Sequence, residues 1–328
     1  MTTEVTSDIA SAASRLASAE RVLLTCHRGP DGDSIGSMVA LGSMLRAQGK
    51  RATLFNPDLV PRRFKWMPLV RTLAHRLKPD ARYDLTVVVD CGDRKLLGDD
   101  FPPPEVTGPL LALDHHASAA PFGELFVSDP NAASVGVLVA RIADLLGWPI
   151  DEPAALGIFV SLVSDTGSFC YSNTNPEAFA LAARLVASGV DPWTISERMN
   201  ERVPLARYKL LAAALSGMEL VAGGKLCFMI ITHDMVKAAN AAWEHTEGMV
   251  NYARSIDGVE CGVLITPAKR GGVRVSLRSK ARVIDAGAIC AELGGGGHPG
   301  AAGCAIEGSL EDARARIQAV LEAALAKG

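Results

Sequence analysis

Positive charge is what this 328-residue sequence most plainly lacks: 33 lysines and arginines face 36 aspartates and glutamates, for a formal net charge of −3. No global positive field exists to hold long duplex nucleic acid, so any nucleic-acid substrate must be short or gripped by a local basic patch. Paired cysteines are missing too. Cys26, Cys91, Cys170, Cys227, Cys261, Cys290 and Cys304 are odd in number and scattered without a CxxC pair, the pattern of reduced thiols in a cytosolic protein. The first twenty residues hold Glu4, Asp8 and Glu20 but no uninterrupted apolar stretch of a signal peptide, and no later run has the length of a membrane span. The expected location is the cytoplasm, with no membrane partner. Aromatics make up only 5%, whereas 48% of residues are hydrophobic and 21% charged, a balance that excludes disorder and suits an alanine-rich α/β protein.

The length suits two domains. A helix over Ile9 to Ala19 leads into a strand from Val22 to Cys26, which meets the polar cluster from His27 to Ser34. Gly29, Pro30 and Gly32 force a loop there, and Ser34 is placed to cap a helix from about Ile35 to Gln48. Arg51 to Phe55 reads as a second strand, followed by a crossover rich in arginine and lysine. Tyr83 to Val89 is a third strand whose apolar end predicts a central position covered on both faces; it stops at Asp90. Leu110 to Leu113 delivers Asp114-His115-His116. Helices follow over Ala132 to Leu146 and Glu152 to Val163, the second closing on Asp165, an acid where a helix C-terminus disfavours one. That mismatch favours a cation nearby.

Helices over Pro176 to Ser188 and Pro192 to Arg202 introduce a helical linker placed at residues 189–215, between a first domain at 1–188 and a second at 216–328. The second domain repeats an α/β pattern. It reads as a strand Leu226 to Thr232, a helix Gly248 to Ile256, strands Val259 to Thr266 and Val273 to Ser279, and a helix Ile284 to Leu293. A glycine run from Gly294 to Gly297 with His298, a strand near Gly303 to Ile306 and a helix Leu310 to Lys327 complete it.

Taken singly, each polar station has an ordinary reading, such as an Asx-rich turn or a capping acid. Together, Asp31, Asp33, Asp90 and Asp165 would repel one another strongly if they met at the carboxyl edge of a sheet, where ligands bind in parallel α/β folds. Two divalent ions would balance four carboxylates, with His27 and His115 completing two sites if Asp90 bridges them. Oxygen-rich ligation with imidazoles and no cysteine favours Mn²⁺, with Mg²⁺ or Co²⁺ as alternatives, over structural zinc. Paired metals suit in-line hydrolysis at phosphorus.

The motifs HRGPDGDSIGS (His27 to Ser37), VVVDCGD (Val87 to Asp93), LDHH (Leu113 to His116), SDTGSF (Ser164 to Phe169) and GGGGHPGAAG (Gly294 to Gly303) occur in the order of the DHH phosphoesterase superfamily. The chain resembles the branch that joins a DHH catalytic domain to a DHH-associated domain, and the resemblance covers nearly its whole length. It implies one Mn²⁺ at His27, Asp31 and Asp90 and another at Asp33, Asp90, His115 and Asp165. It also implies that His116 faces the scissile phosphate while Asp114 orients an imidazole. The sequence departs from the family pattern at Cys170 and at Arg94-Lys95, neither among the implied ligands.

The second domain carries its own signal. Between Cys261 and Ile284 there is no acid, while Lys269, Arg270, Arg274, Arg278, Lys280 and Arg282 are basic. On a strand, Arg274, Ser276, Arg278 and Lys280 share one face and Val273, Val275 and Leu277 the other, a cationic front suited to phosphates. The competing reading is a charged edge strand that resists aggregation. Gly295, Gly296 and Gly297 could present backbone N–H groups to an anion as a nest beside His298, or form a plain mobile loop. The resemblance makes this domain the substrate clamp, with Arg278 and His298 as contacts.

The expected function is a Mn²⁺-dependent phosphodiesterase that converts short RNA and linear dinucleotides to mononucleotides in a cleft between the domains; a homodimer is compatible with it. Alternatives with the same metals are a phosphatase of 3′-phosphoadenosine 5′-phosphate and a cyclic dinucleotide phosphodiesterase. Outside enzymes, the alternative is a nucleotide-binding sensor.

Overall fold

A computed structural model of the chain describes residues 8–268, 271–281 and 283–326. The expected basic positions Lys269, Arg270 and Arg282 and the helix end at Lys327 lie outside these residues. The chain divides into two compact units, the first ending at Arg202 and the second beginning at Val203. The break falls inside the segment expected as a linker, whose helices thus belong one to each unit.

The first unit runs α1 (Ile9–Ser18), β1 (Arg21–Cys26), α2 (Gly32–Ala47), β2 (Arg51–Leu54), β3 (Leu85–Val89), α3 (Pro104–Thr107), β4 (Leu110–Asp114), β5 (Leu125–Ser128), α4 (Val135–Leu146), α5 (Glu152–Asp165), α6 (Pro176–Ala187) and α7 (Pro192–Ser196). Its five strands are all parallel, in the order β2-β1-β3-β4-β5. The fully buried strands β3 and β4 sit centrally, as their unbroken apolar runs predict. The order reverses between β1 and β3, and the crevice outside the carboxyl ends of two such strands is the general ligand position of doubly wound sheets.

Helix α2 starts earlier than expected. Asp31, not Ser34, is its cap: Ser34 N donates to Asp31 Oδ1 at 3.0 Å and Asp31 N donates to Ser34 Oγ at 2.9 Å. This reciprocal pair takes Gly32 and Asp33 into the first turn, where an acid is favoured. Packing then locks α2 against α5. A Cβ on Gly36 would lie 2.4 Å from the carbonyl oxygen of Gly157, and one on Gly157 would lie 2.6 Å from that of Gly36. The two backbones touch, which brings residues near the start of α2 beside the last turns of α5.

The second unit holds α8 (Leu205–Ser216), β6 (Glu219–Val221), β7 (Leu226–Ile230), α9 (His233–Ala238), α10 (Val250–Arg254), β8 (Cys261–Pro267), β9 (Val273–Ser279), α11 (Ala286–Glu292), β10 (Gly296–His298), β11 (Ala301–Ile306) and α12 (Leu310–Leu325). Its mixed sheet runs β10-β11-β9-β8-β7-β6. Helix α8 buries Leu210, Leu211 and Ala214 with Met229 and Leu264 of that sheet and with Ile231 just past β7. Among the described residues no helix is long and apolar enough to cross a membrane. The short strands β5 and β6 carry no alternation that the sequence alone reveals.

Candidate metal centre

Six strand-end and helix-end residues of the first unit converge at the β1/β3 crevice. His27 leaves β1 with its Nδ1 donating to the carbonyl of Arg28 at 2.8 Å. Its Nε2 therefore faces inward, 3.5 Å from Asp90 Oδ2 and 3.9 Å from Asp31 Oδ1. His115, just past β4, donates Nδ1 to the carbonyl of Ala132 at 3.0 Å. Its Nε2 lies 3.2 Å from Asp165 Oδ2, 3.5 Å from Asp33 Oδ2 and 3.9 Å from Asp90 Oδ1. Asp90 thus turns Oδ2 to His27 and Oδ1 to His115 and, at 3.7 Å, to His116 Nδ1. Its φ of +55° is left-handed, a conformation uncommon outside glycine and tolerated by aspartate, and one that clusters at functional sites.

The donor spacing fits shared cations. Two ligand atoms each about 2.1 Å from one ion sit roughly 3 Å apart when adjacent and about 4 Å when opposite. His27, Asp31 and Asp90 form one group, and Asp33, His115 and Asp165 a second, each offering donor atoms within 4.8 Å of one another. Asp90, Asp114 and His116 form a third such group. There His116 receives a different treatment. Its Nδ1 donates to Asp114 Oδ1 at 2.8 Å and its backbone N–H to Asp114 Oδ2 at 3.1 Å, so a wholly buried carboxylate holds the ring from behind.

Crowding shapes the ionisation. Asp33, Asp90 and His115 are 1%, 3% and 3% exposed. Burial and then the charge of Asp90 push the Asp33 carboxyl well above its usual range, against the pull of His115. Burial likewise raises Asp165 to about 7, with the charge of His115 opposing and that of Asp90 assisting. Asp90 moves the other way: burial disfavours its charge, but the His27 hydrogen bond and the charges of His116, His27 and His115 hold it below the ordinary carboxylate range. Burial also works against charged imidazoles, yet Asp90 and Asp31 raise His27 to about 9, and Asp114 and Asp90 raise His116 to about 10. In the absence of cations the cluster therefore favours extra protons, which a divalent ion bound there would have to displace.

Several supporting residues escape a reading of the sequence. Asp33 Oδ1 accepts from Ser161 Oγ at 2.6 Å and Ser37 Oγ at 3.1 Å, and its Oδ2 from the N–H of Val135 at 2.9 Å. Asn173 Nδ2 donates to the carbonyls of Ala133 and Asp165 at 3.0 and 3.1 Å, tying the turn after α5 to the loop that holds His115. A lone serine in the apolar stretch of α5 was the one available hint to Ser161. Asn173 carried none.

In the second unit, β9 alternates as expected: Val273, Val275 and Leu277 are buried, while Arg274 is exposed and Ser276 and Arg278 half-buried. Lys280, just past the strand, is exposed. Arg278 pairs with Ala301 of β11, and Ala301 with His298 of β10. Directly paired residues share a sheet face, so Arg278 and His298 lie on one surface across a small alanine. Part of the glycine run forms an edge strand rather than a plain loop. Gly296 and Gly297 pair as an edge strand with Gly303 and Ala302. A Cβ on Gly295 would lie 2.1 Å from the Gly303 carbonyl oxygen, and one on Gly297 2.5 Å from that of Ala301. Close approach to β11 explains these two glycines; Gly294 and Gly296 have open space beside them.

The DHH family N-terminal domain matches residues 21–190, more than half the chain, and the DHHA1 domain matches residues 224–327. The chain belongs to the DHH family. This DHH protein is 30% identical over 300 residues to the bifunctional oligoribonuclease and PAP phosphatase NrnA of Thermus thermophilus, covering 90% of this chain and 87% of the relative. NrnA of Bacillus subtilis is 26% identical over 292 residues, 88% of this chain and 90% of the relative. A crystal structure of an exopolyphosphatase-related protein from Bacteroides fragilis superposes with a TM-score of 0.85 at 25% identity, covering 97% of this chain and 95% of that one. The DHH chain is a phosphoesterase, and its clustered aspartates and histidines could bind metal.

Proposed function

We propose that this phosphoesterase hydrolyses short RNA oligonucleotides and linear dinucleotides to mononucleotides at a two-Mn²⁺ centre. His27, Asp31 and Asp90 would hold one ion and Asp33, Asp90, His115 and Asp165 the other; Mg²⁺ or Co²⁺ could substitute. The observation that carries this reading is Asp90, whose two oxygens face different imidazoles at 3.5 and 3.9 Å. Bound ions would supply a water acidic enough to ionise near neutral pH and positive charge opposite the phosphate. The chain's own groups do the rest. His116 offers an imidazole N–H for contact with the phosphate oxygens, and Asp114, 2.8 Å from its Nδ1, fixes its ring. Arg278, Lys280 and His298 offer charge and a flat ring for phosphate and base on the second unit's own sheet.

A second activity is favoured by the relatives, whose names pair oligoribonuclease with PAP phosphatase. A terminal phosphate of 3′-phosphoadenosine 5′-phosphate asks for the same metals and the same anion contacts. The test is incubation of the purified protein and Mn²⁺ with labelled RNAs of graded length and with that nucleotide. Mononucleotide release that is fastest from dinucleotides and the shortest oligomers supports the reading. No release from dinucleotides overturns it. Retained nucleotide binding in Asp90→Asn, with no wild-type turnover to lose, would point to a sensor.

A further inference from the structure

The loop that carries His27 is clamped by a segment outside the metal-binding motifs, the turn Asn56-Pro57-Asp58 after β2. Asn56 is wholly buried, and its Nδ2 donates to the His27 carbonyl at 2.9 Å while its Oδ1 accepts from the Asp58 N–H at 2.9 Å. Asp58 then reaches past His27. Its Oδ2 accepts from Arg28 Nε at 2.9 Å and from the Gly29 N–H at 2.8 Å, and its Oδ1 accepts from Arg28 Nη2 at 2.7 Å. The fork geometry fixes Arg28 in direction as well as position. Arg28 is the residue whose carbonyl receives His27 Nδ1–H, so it sets the tautomer and aim of the imidazole. Asp100 takes the remaining arm of the guanidinium, with Nη1 donating to its Oδ1 at 2.7 Å.

We propose that Asp58 is a positioning residue for the His27 side of the metal centre, acting through Arg28. The inference rests on the reading of His27 as a ligand. Asp58 lies beside the site, and its carboxylate accepts from Arg28 and Gly29. Removing it releases the Gly29 N–H and the guanidinium, so that the Arg28–Gly29 peptide, whose carbonyl aims the imidazole, can rotate. Outer partners of this kind typically hold about 10- to 100-fold in metal affinity. The Asp33, His115 and Asp165 group hangs on other partners, Ser161, the Ala132 carbonyl and Asn173, so Asp58 should leave it alone.

The experiment titrates Mn²⁺ into the full chain by calorimetry and by electron paramagnetic resonance of the free ion, with His27→Ala and Asp165→Asn assigning the two binding events. Asp58→Ala is expected to weaken the His27 event 10- to 100-fold and leave the other within about twofold. Asp58→Asn, which keeps the shape and one acceptor, should fall between, and it carries the test if the alanine variant fails to fold. Elevated Mn²⁺ should restore turnover of both variants, which a merely structural defect would not allow. Unchanged affinity at both sites overturns the proposal, as does equal weakening of both. If His27→Ala leaves both events intact, the ligand reading itself has failed, and the proposal with it.

Discussion

Asparagine at position 165 should stabilise the metal-free protein and destabilise the metal-loaded one. The Asp165 carboxyl sits 3.2 Å from His115 Nε2 at the last turn of α5, and burial raises it from 3.8 to about 7. At about 1.4 kcal/mol per unit of pKa that displacement corresponds to roughly 4 kcal/mol of lost folding stability at high pH. A quarter of the side chain meets solvent, which screens the penalty, so about 2 kcal/mol is a fair expectation for the gain on neutralising it. The sign follows from linkage: a folded pKa above the unfolded one costs nothing below about pH 4, and the cost grows with pH until about 7. Asp165→Asn should therefore match wild type in EDTA at pH 4 and melt roughly 4–8 °C higher at pH 8. Mn²⁺ at 1,000 times its Kd stabilises wild type by about 4 kcal/mol, most of which the variant forgoes, so the order inverts. Thermal melts in EDTA and in Mn²⁺ across this pH range decide it. A variant that melts below wild type in EDTA at pH 8, or an order indifferent to Mn²⁺, would refute the crowded-carboxylate argument.

Asp90→Asn should weaken both Mn²⁺ binding events together in a calorimetric titration, since its two oxygens face both imidazoles; loss of one event alone would deny it the bridging place. Apparent Mn²⁺ affinity should rise from pH 6 to pH 9, because His27, raised to about 9, must surrender its proton to bind; calorimetry in buffers of different ionisation enthalpy counts the protons released. Gly36→Ala should cost about 1–3 kcal/mol in urea unfolding, given the 2.4 Å approach of its Cβ position to the Gly157 carbonyl. Arg278→Ala should raise KM for short RNA at least about tenfold with a smaller change in kcat, and lysine should not restore it where a forked donor is needed; steady-state kinetics on a trinucleotide checks both.

Much of the first unit was legible because its signals are local. An apolar run that stops at Asp90 or at Asp114 says both that a strand is central and that a polar group waits at its end, and β3 and β4 have that character. The misplacements have local causes as well. Ser34 looked like the cap because Gly32 discourages a helix, yet the Asp31–Ser34 exchange of hydrogen bonds outweighs that cost. The pairing of Gly296 and Gly297 as a strand went unread because a sequence cannot show β11 lying against Gly295 and Gly297. Ser161, Asn173 and Asp58 went unread since each acts through a partner at least eight residues distant in the chain.

By itself the sequence determined the inventory: which acids and imidazoles exist, that they end apolar runs, and that charge on β9 gathers on one face, all consequences of neighbours in the chain. Tertiary structure alone decided that β1 lies beside β3, that Asp33 is enclosed by α4 and α5, and that Asp90 curls back to meet the imidazoles of His27, His115 and His116. Those outcomes depend on strand order and helix contact between residues far apart in the chain. The free energy that fixes them is burial shared across the whole unit, and no short stretch of residues carries it.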